Sequence, residues 1–94
     1  MQVDLDLLEK AISDIFNEMR KKGMSSIPLE ADFYWNIPSE FKYDPYNEPN
    51  QLDIGQLEDD YDTLCQAQNA NKLMGYNLKN ISAIMRYLSD KYPS

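Results

Sequence analysis

The sequence predicts an all-α fold: a three-helix packing near residues 4–22, 54–73 and 77–92, with a long ordered loop between the first two helices. Three observations predict it. Apolar residues recur at helical spacing in three separate stretches. Helix punctuation brackets those stretches, with Asp4 and Gly23 around the first and Asn77 opening the last. The intervening stretch carries aromatic residues and proline without a steady period. Ninety-four residues suit one domain, 1–94, whose folding buries only about 60–65% of its unfolded surface.

Residues 4–22 form the clearest helix. Leu5, Leu8, Ile12, Ile15 and Met19 follow the rhythm of one buried stripe, widened by Phe16. Asp4 is the expected N-cap, and Asp6 and Glu9 sit where the positive helix end favours negative charge. Arg20, Lys21 and Lys22 complement the opposite end, and Gly23 is suited to a left-handed stop.

The character changes after Gly23. Ile27 is held extended by the proline that follows it. Asp32–Ile37 is aromatic-rich and suits a short extended segment, but no partner strand is evident, so a bridge or two is expected rather than a sheet. Residues 37–53 read as loop, with one helical turn at Ser39–Tyr43 and turns at Asp44-Pro45 and Glu48-Pro49-Asn50. A connection this long in a small domain is functional or disordered, and its rings argue for order.

Asp53 and Gln56 have capping-box spacing, so a second helix is expected from residue 54, with Leu57, Tyr61 and Leu64 as its stripe and Gly75 near its end. The third helix opens at Asn77. Its Leu78, Ile81, Met85, Leu88 and Tyr92 alternate in steps of three and four, as in a coiled-coil seam.

Bulk properties narrow the function classes. No apolar run approaches the ~20 residues of a membrane span, and the N-terminal residues lack a basic stretch followed by an apolar one, so neither a membrane anchor nor a secretory signal is expected. A single cysteine, Cys65, suits a reducing cytoplasm and a structural role. The chain has no histidine, which removes Ser-His and Cys-His chemistry and most zinc sites. No calcium-loop pattern is present, so no metal and no cofactor are expected. Carboxylate pairs such as Glu40/Asp44 offer general acid–base groups but no sign of a shared pocket, and the chain is expected not to be an enzyme.

The net charge of −7 is uneven. Residues 30–62 hold ten acids against one base, Lys42, whereas the remainder is slightly basic. Direct nucleic-acid binding is disfavoured, since it needs clustered Lys and Arg. A basic protein partner is favoured instead.

Two sets of residues in this acidic stretch are candidates for recognition. Glu58, Asp59, Asp60 and Asp62 crowd the start of the second helix, either as a docking face or as a solvated end that aids solubility. The rings Tyr34, Trp35, Phe41, Tyr43 and Tyr46 are either exposed anchors for a partner or a second small core. The inward reading suits Phe33, Trp35 and Phe41; the outward one suits Tyr43 and Tyr46, which alternate with Asp44, Pro45 and Glu48. The partner-binding candidates are therefore Trp35, Tyr43, Tyr46, Glu48, Glu58, Asp59 and Asp62.

The run Phe33-Tyr34-Trp35-x-Ile37, then Tyr43-Asp44, Glu48-Pro49 and Leu52-x-Ile54-Gly55-Gln56-Leu57-x-Asp59-Asp60-Tyr61-x-x-Leu64 resembles a group of small uncharacterised bacterial proteins. That resemblance covers about a third of the chain and implies neither an activity nor site residues. In size and acidity the chain is also similar to the immunity proteins that neutralise bacterial toxins, a likeness of bulk properties. The expectation is a cytoplasmic, non-enzymatic inhibitor or immunity-type protein, monomeric or weakly dimeric, docking on a basic surface such as that of a toxin. The alternatives are a self-associating structural or adaptor domain, using residues 78–92 or the rings, and a DNA mimic with acids spaced like phosphates.

Overall fold

The computed structural model describes residues 1–49 and 51–93. In chain order the elements are α1 (Leu5–Lys21), β1 (Phe33–Asn36), α2 (Ser39–Lys42), β2 (Asp53–Gln56), α3 (Leu57–Asn69) and α4 (Asn77–Lys91). The expected all-α three-helix packing is therefore corrected. Among the described residues there are four helices and a two-stranded antiparallel sheet, a mixed architecture of helices and strands.

Helix α1 forms where the local signals place it. The Asp4 side chain accepts from the Asp6 amide at 3.0 Å. At the other end Gly23 adopts φ +91°, and the amides of Gly23 and Met24 donate to the carbonyls of Arg20 (2.9 Å) and Met19 (3.1 Å). This double closure is the left-handed ending that a helix followed by glycine favours.

The expectation that the aromatic segment has no partner strand is corrected: its partner lies in residues expected to open the second helix. Residues 53–56 are β2, paired with β1 in the register Phe33↔Gln56, Tyr34↔Gly55, Trp35↔Ile54 and Asn36↔Asp53. Helix α3 begins only at Leu57, and Asp53 does not cap it. Asp32, just before β1, does so from a distance: its Oδ1 accepts the Glu58 amide at 2.9 Å and its carbonyl accepts the Leu57 amide at 2.7 Å. The Gln56 side chain donates to the other Asp32 carboxylate oxygen at 2.8 Å.

Helix α3 ends at Asn69, well before Gly75, and the turn that closes it runs through Asn71. Asn71 takes φ +58°, and the amides of Asn71 and Lys72 close on the carbonyls of Gln68 (3.0 Å) and Ala67 (2.8 Å). Asparagine is the non-glycine residue that tolerates this conformation best. Asn77 is likewise not the cap of the last helix but its first residue, and its side chain accepts from the Met74 amide at 2.9 Å.

Helices α3 and α4 pack together, and Leu57 at their base is the one apolar side chain buried among the described residues, at 4% exposure. Half-buried Phe16, Met19, Leu64, Ile84 and Leu88 surround it and line an open cleft of about 640 Å³. The segment leading into β1 is tied to α4. The Tyr87 hydroxyl accepts the Glu30 amide at 2.9 Å and donates to the Pro28 carbonyl at 3.4 Å, and Lys91 pairs with Glu30.

The stripe of α1 departs from expectation. Leu5, Leu8, Ile12 and Ile15 are exposed, and no residue of α1 is buried. From α1, Phe16, Met19 and Arg20, in the last turns, reach the cleft. A helix can carry a core-facing pattern that no described residue of its chain covers.

Candidate functional site

The ribbon β1–β2 has two unlike faces, because successive strand residues point in opposite directions. Tyr34 points toward the helices and Phe33 and Trp35 point away. The inward position is secured by Gly55. The Tyr34 ring lies across that glycine so closely that a Cβ there would fall inside the ring. Only a residue without a side chain leaves the tyrosine room to reach α3.

Beyond Gly55 the Tyr34 hydroxyl donates to Asp60 Oδ2 at 2.6 Å. Asn80 Nδ2 donates to Asp60 Oδ1 at 3.0 Å, and Asn77 Nδ2 donates to Asn80 Oδ1 at 3.3 Å. Asp60 thus joins the ribbon, α3 and α4 with one carboxylate. Asn77 and Asn80 are buried, and no buried side-chain N or O atom among the described residues lacks a partner. Burial, with Asp60 beside it, pushes the Tyr34 hydroxyl up to about 12. Phenolate would have to form in low dielectric, next to a carboxylate. Charge-assisted bonds that leave no unsatisfied group hold a geometry firmly.

The opposite face of the ribbon is bare. Phe33 is 69% exposed, Trp35 71% and Ile54 65%, and the register places Trp35 directly across from Ile54. The inward reading of Phe33 and Trp35 is thereby corrected: the side that Tyr34 occupies is the one against the helices, so its neighbours face water. Phe41 is half-buried.

The loop is ordered by its own polar groups. Asp44 accepts from the Tyr46 amide at 3.3 Å and from Asn47 Nδ2 at 2.8 Å, an Asx-type turn. That turn presents Tyr43 and Tyr46, both almost fully exposed. Asn50 of the expected Glu48-Pro49-Asn50 turn lies outside the described residues.

All seven expected partner-binding residues, Trp35, Tyr43, Tyr46, Glu48, Glu58, Asp59 and Asp62, are exposed. They are not one cluster. Trp35 belongs to the ribbon face, Tyr43, Tyr46 and Glu48 to the loop, and Glu58 and Asp62 to the rim of the cleft. The fourth acid of the group, Asp60, is turned inward and structural. Sequence reasoning missed Asp32, Gly55, Asn77 and Asn80 as positioning residues. A signal was present in Asn77-x-x-Asn80, two amides one helical turn apart.

Among the described residues no group of three acids or cysteines is placed to hold a metal. No described helix is long and apolar enough to cross a membrane. Cys65 is half-buried, and its side chain is the main cause of an upward shift of the Tyr61 hydroxyl.

Comparison with family models, curated proteins and solved structures finds no match to this chain.

Proposed function

We propose that the chain is a non-enzymatic binding protein of the inhibitor or immunity type, bacterial and cytoplasmic, that docks on a basic protein. The observation that carries this reading is the bare face Phe33, Trp35 and Ile54, held rigid from behind by Tyr34 and Asp60. Water-exposed large apolar side chains grouped on one strand face mark interaction sites. Trp and Tyr are the residue types that concentrate binding energy at such sites. The stretch 30–62 that contains that face holds ten acids and one base, which favours a positively charged partner over an acidic one.

In this reading Trp35 is the central anchor, Tyr43 and Tyr46 extend the contact, and Glu48, Glu58, Asp59 and Asp62 set the charge. Removing a desolvated central group costs roughly 2–5 kcal/mol of affinity, and a rim charge much less. The test is affinity capture from the native host followed by titration of the captured protein. A basic partner whose affinity falls with Trp35→Ala and with Asp59→Lys supports the proposal. An acidic partner, or binding indifferent to Trp35→Ala, overturns it.

A further inference from the structure

We infer that the outer edge of β1 takes up an extended segment of the basic partner as a third strand, with β-branched or aromatic side chains at every second position and basic ones between. This deepens the docking reading above and rests on it. The register of the ribbon fixes which backbone groups are free. The Leu57 amide donates to the Asp32 carbonyl at 2.7 Å, one step beyond the pair Phe33↔Gln56. In an antiparallel ladder, hydrogen-bonded and non-bonded pairs alternate. Tyr34↔Gly55 and Asn36↔Asp53 are therefore the bonded pairs, whereas the N–H and C=O groups of Phe33 and Trp35 point away from β2. Among the described residues no strand lies on that side of β1, and no hydrogen bond reaches those groups. A row of open donors and acceptors is a template for another extended backbone.

The same two residues carry the bare rings, Phe33 at 69% and Trp35 at 71% exposure. Residues opposed across strands share a face. The segment residues that exchange hydrogen bonds with Phe33 and Trp35 therefore lay their side chains against both rings, and rings favour β-branched or aromatic neighbours across a strand pair. The other edge is poorer. The outward backbone groups of β2 belong to Ile54 and Gln56, and Gln56 is half-buried with its side-chain amide committed to Asp32. Edge strands are commonly guarded by lysine or proline, and Phe33–Asn36 contains neither.

Charge decides between a foreign segment and a second copy. The stretch 30–62 that contains both strands holds ten acids and one base, a net −9. Two copies joined at β1 set two such stretches side by side, and juxtaposed like charge suppresses that pairing. A basic segment neutralises the stretch instead. Its alternate positions face the side that Tyr34 and Asn36 occupy, and these carry its lysine or arginine.

The test uses the full chain and a synthetic peptide of about eight residues that alternates lysine with valine. Amide exchange followed by NMR separates the two kinds of strand residue. Binding slows the Phe33 and Trp35 amides by about tenfold or more and leaves that of Tyr34, already bonded to β2, little changed. Methylating the peptide's central amides, so that neither of its edges donates, weakens binding by about tenfold or more. Trp35→Ala removes the ring, and Trp35→Pro removes the ring and the outward N–H together, so the proline variant binds about fivefold more weakly than the alanine one. Should proline unfold the ribbon, the methylated peptide on the unaltered chain still decides. Binding that ignores methylation and leaves the Phe33 and Trp35 amides unchanged overturns the added strand and leaves the docking reading standing. A peptide with glutamate in place of lysine that binds equally well overturns the basic occupant and the docking reading with it. Absence of binding into the millimolar range overturns the added strand alone, because the captured partner's response to Trp35→Ala judges the docking reading separately.

Discussion

Helix α1 and the unit of ribbon, α3 and α4 solve opposite problems. The apolar stripe of α1 is nearly ideal in spacing yet uncovered, whereas α3 and α4 have weaker patterning and contribute the buried Leu57, Asn77 and Asn80. The difference teaches that spacing records a need for burial and not its fulfilment. In the ribbon unit, polar side chains of fixed reach determine which elements meet. In α1 no such link is made across its first turns, and its stripe stays uncovered among the described residues.

The contrast can be broken most forcefully at Leu57. Leu57→Ala removes the one buried apolar anchor and is expected to cost about 2–5 kcal/mol, enough to unfold much of so small a unit, read by urea titration. Leu5→Ala, at a side chain with almost no cover in its own chain, should change the unfolding of an isolated copy by less than about 0.5 kcal/mol. Equal losses at the two positions would erase the distinction.

Gly55→Ala should come next. The Tyr34 ring must leave its place, breaking its bond to Asp60, for an expected loss of about 1–3 kcal/mol. Fluorescence of Trp35, the single tryptophan, reports the ribbon. Asp60→Ala strands the Tyr34 hydroxyl and Asn80 amide together, and a similar loss of about 1–3 kcal/mol is expected by thermal unfolding.

A smaller effect is set by pH. Tyr34 has a folded value near 12, above its ordinary 10.0. Raised in the native state, it contributes stability that is complete below pH 10 and disappears as pH climbs through 12. Tyrosinate absorbance should show the Tyr34 phenol titrating late, beside the raised Tyr61 hydroxyl, and Tyr34→Phe should remove its share of the late absorbance. The smallest effect belongs to Glu30 and Lys91. Their hydrogen bond, then their mutual attraction, lowers the carboxyl and raises the amine. The Glu30 contribution is present above pH 4.5 and fades as pH falls through its lowered folded value. Both groups are exposed, so Glu30→Gln should be barely detectable and its effect should vanish in salt.

What could be read from the residues alone follows a physical division. The ends of α1 were legible because Asp4 and Gly23 act within one turn of themselves. The ribbon was not, because its closure depends on residues about twenty positions apart. Asp53 and Gln56 do have capping spacing, but the cap that forms comes from Asp32, and a strand occupies the expected first turn. Alternation placed Phe33 and Trp35 on one side. Which side met water depended on Gly55 and Asp60, and nothing local to the aromatic run reveals that. The exposure of Tyr43 and Tyr46 was legible from their acidic neighbours Asp44 and Glu48, which are costly to bury without a partner.

The carboxylate of Asp60 is shared by a phenol from the ribbon and an amide from α4. Shared tenancy ties the ribbon to both helices, so loosening either helix removes a partner of the carboxylate that holds the ribbon. Amide protons of Tyr34 and Gly55, bonded between the strands, should accordingly exchange with solvent in step with helix separation, not as a loose flap opening on its own clock.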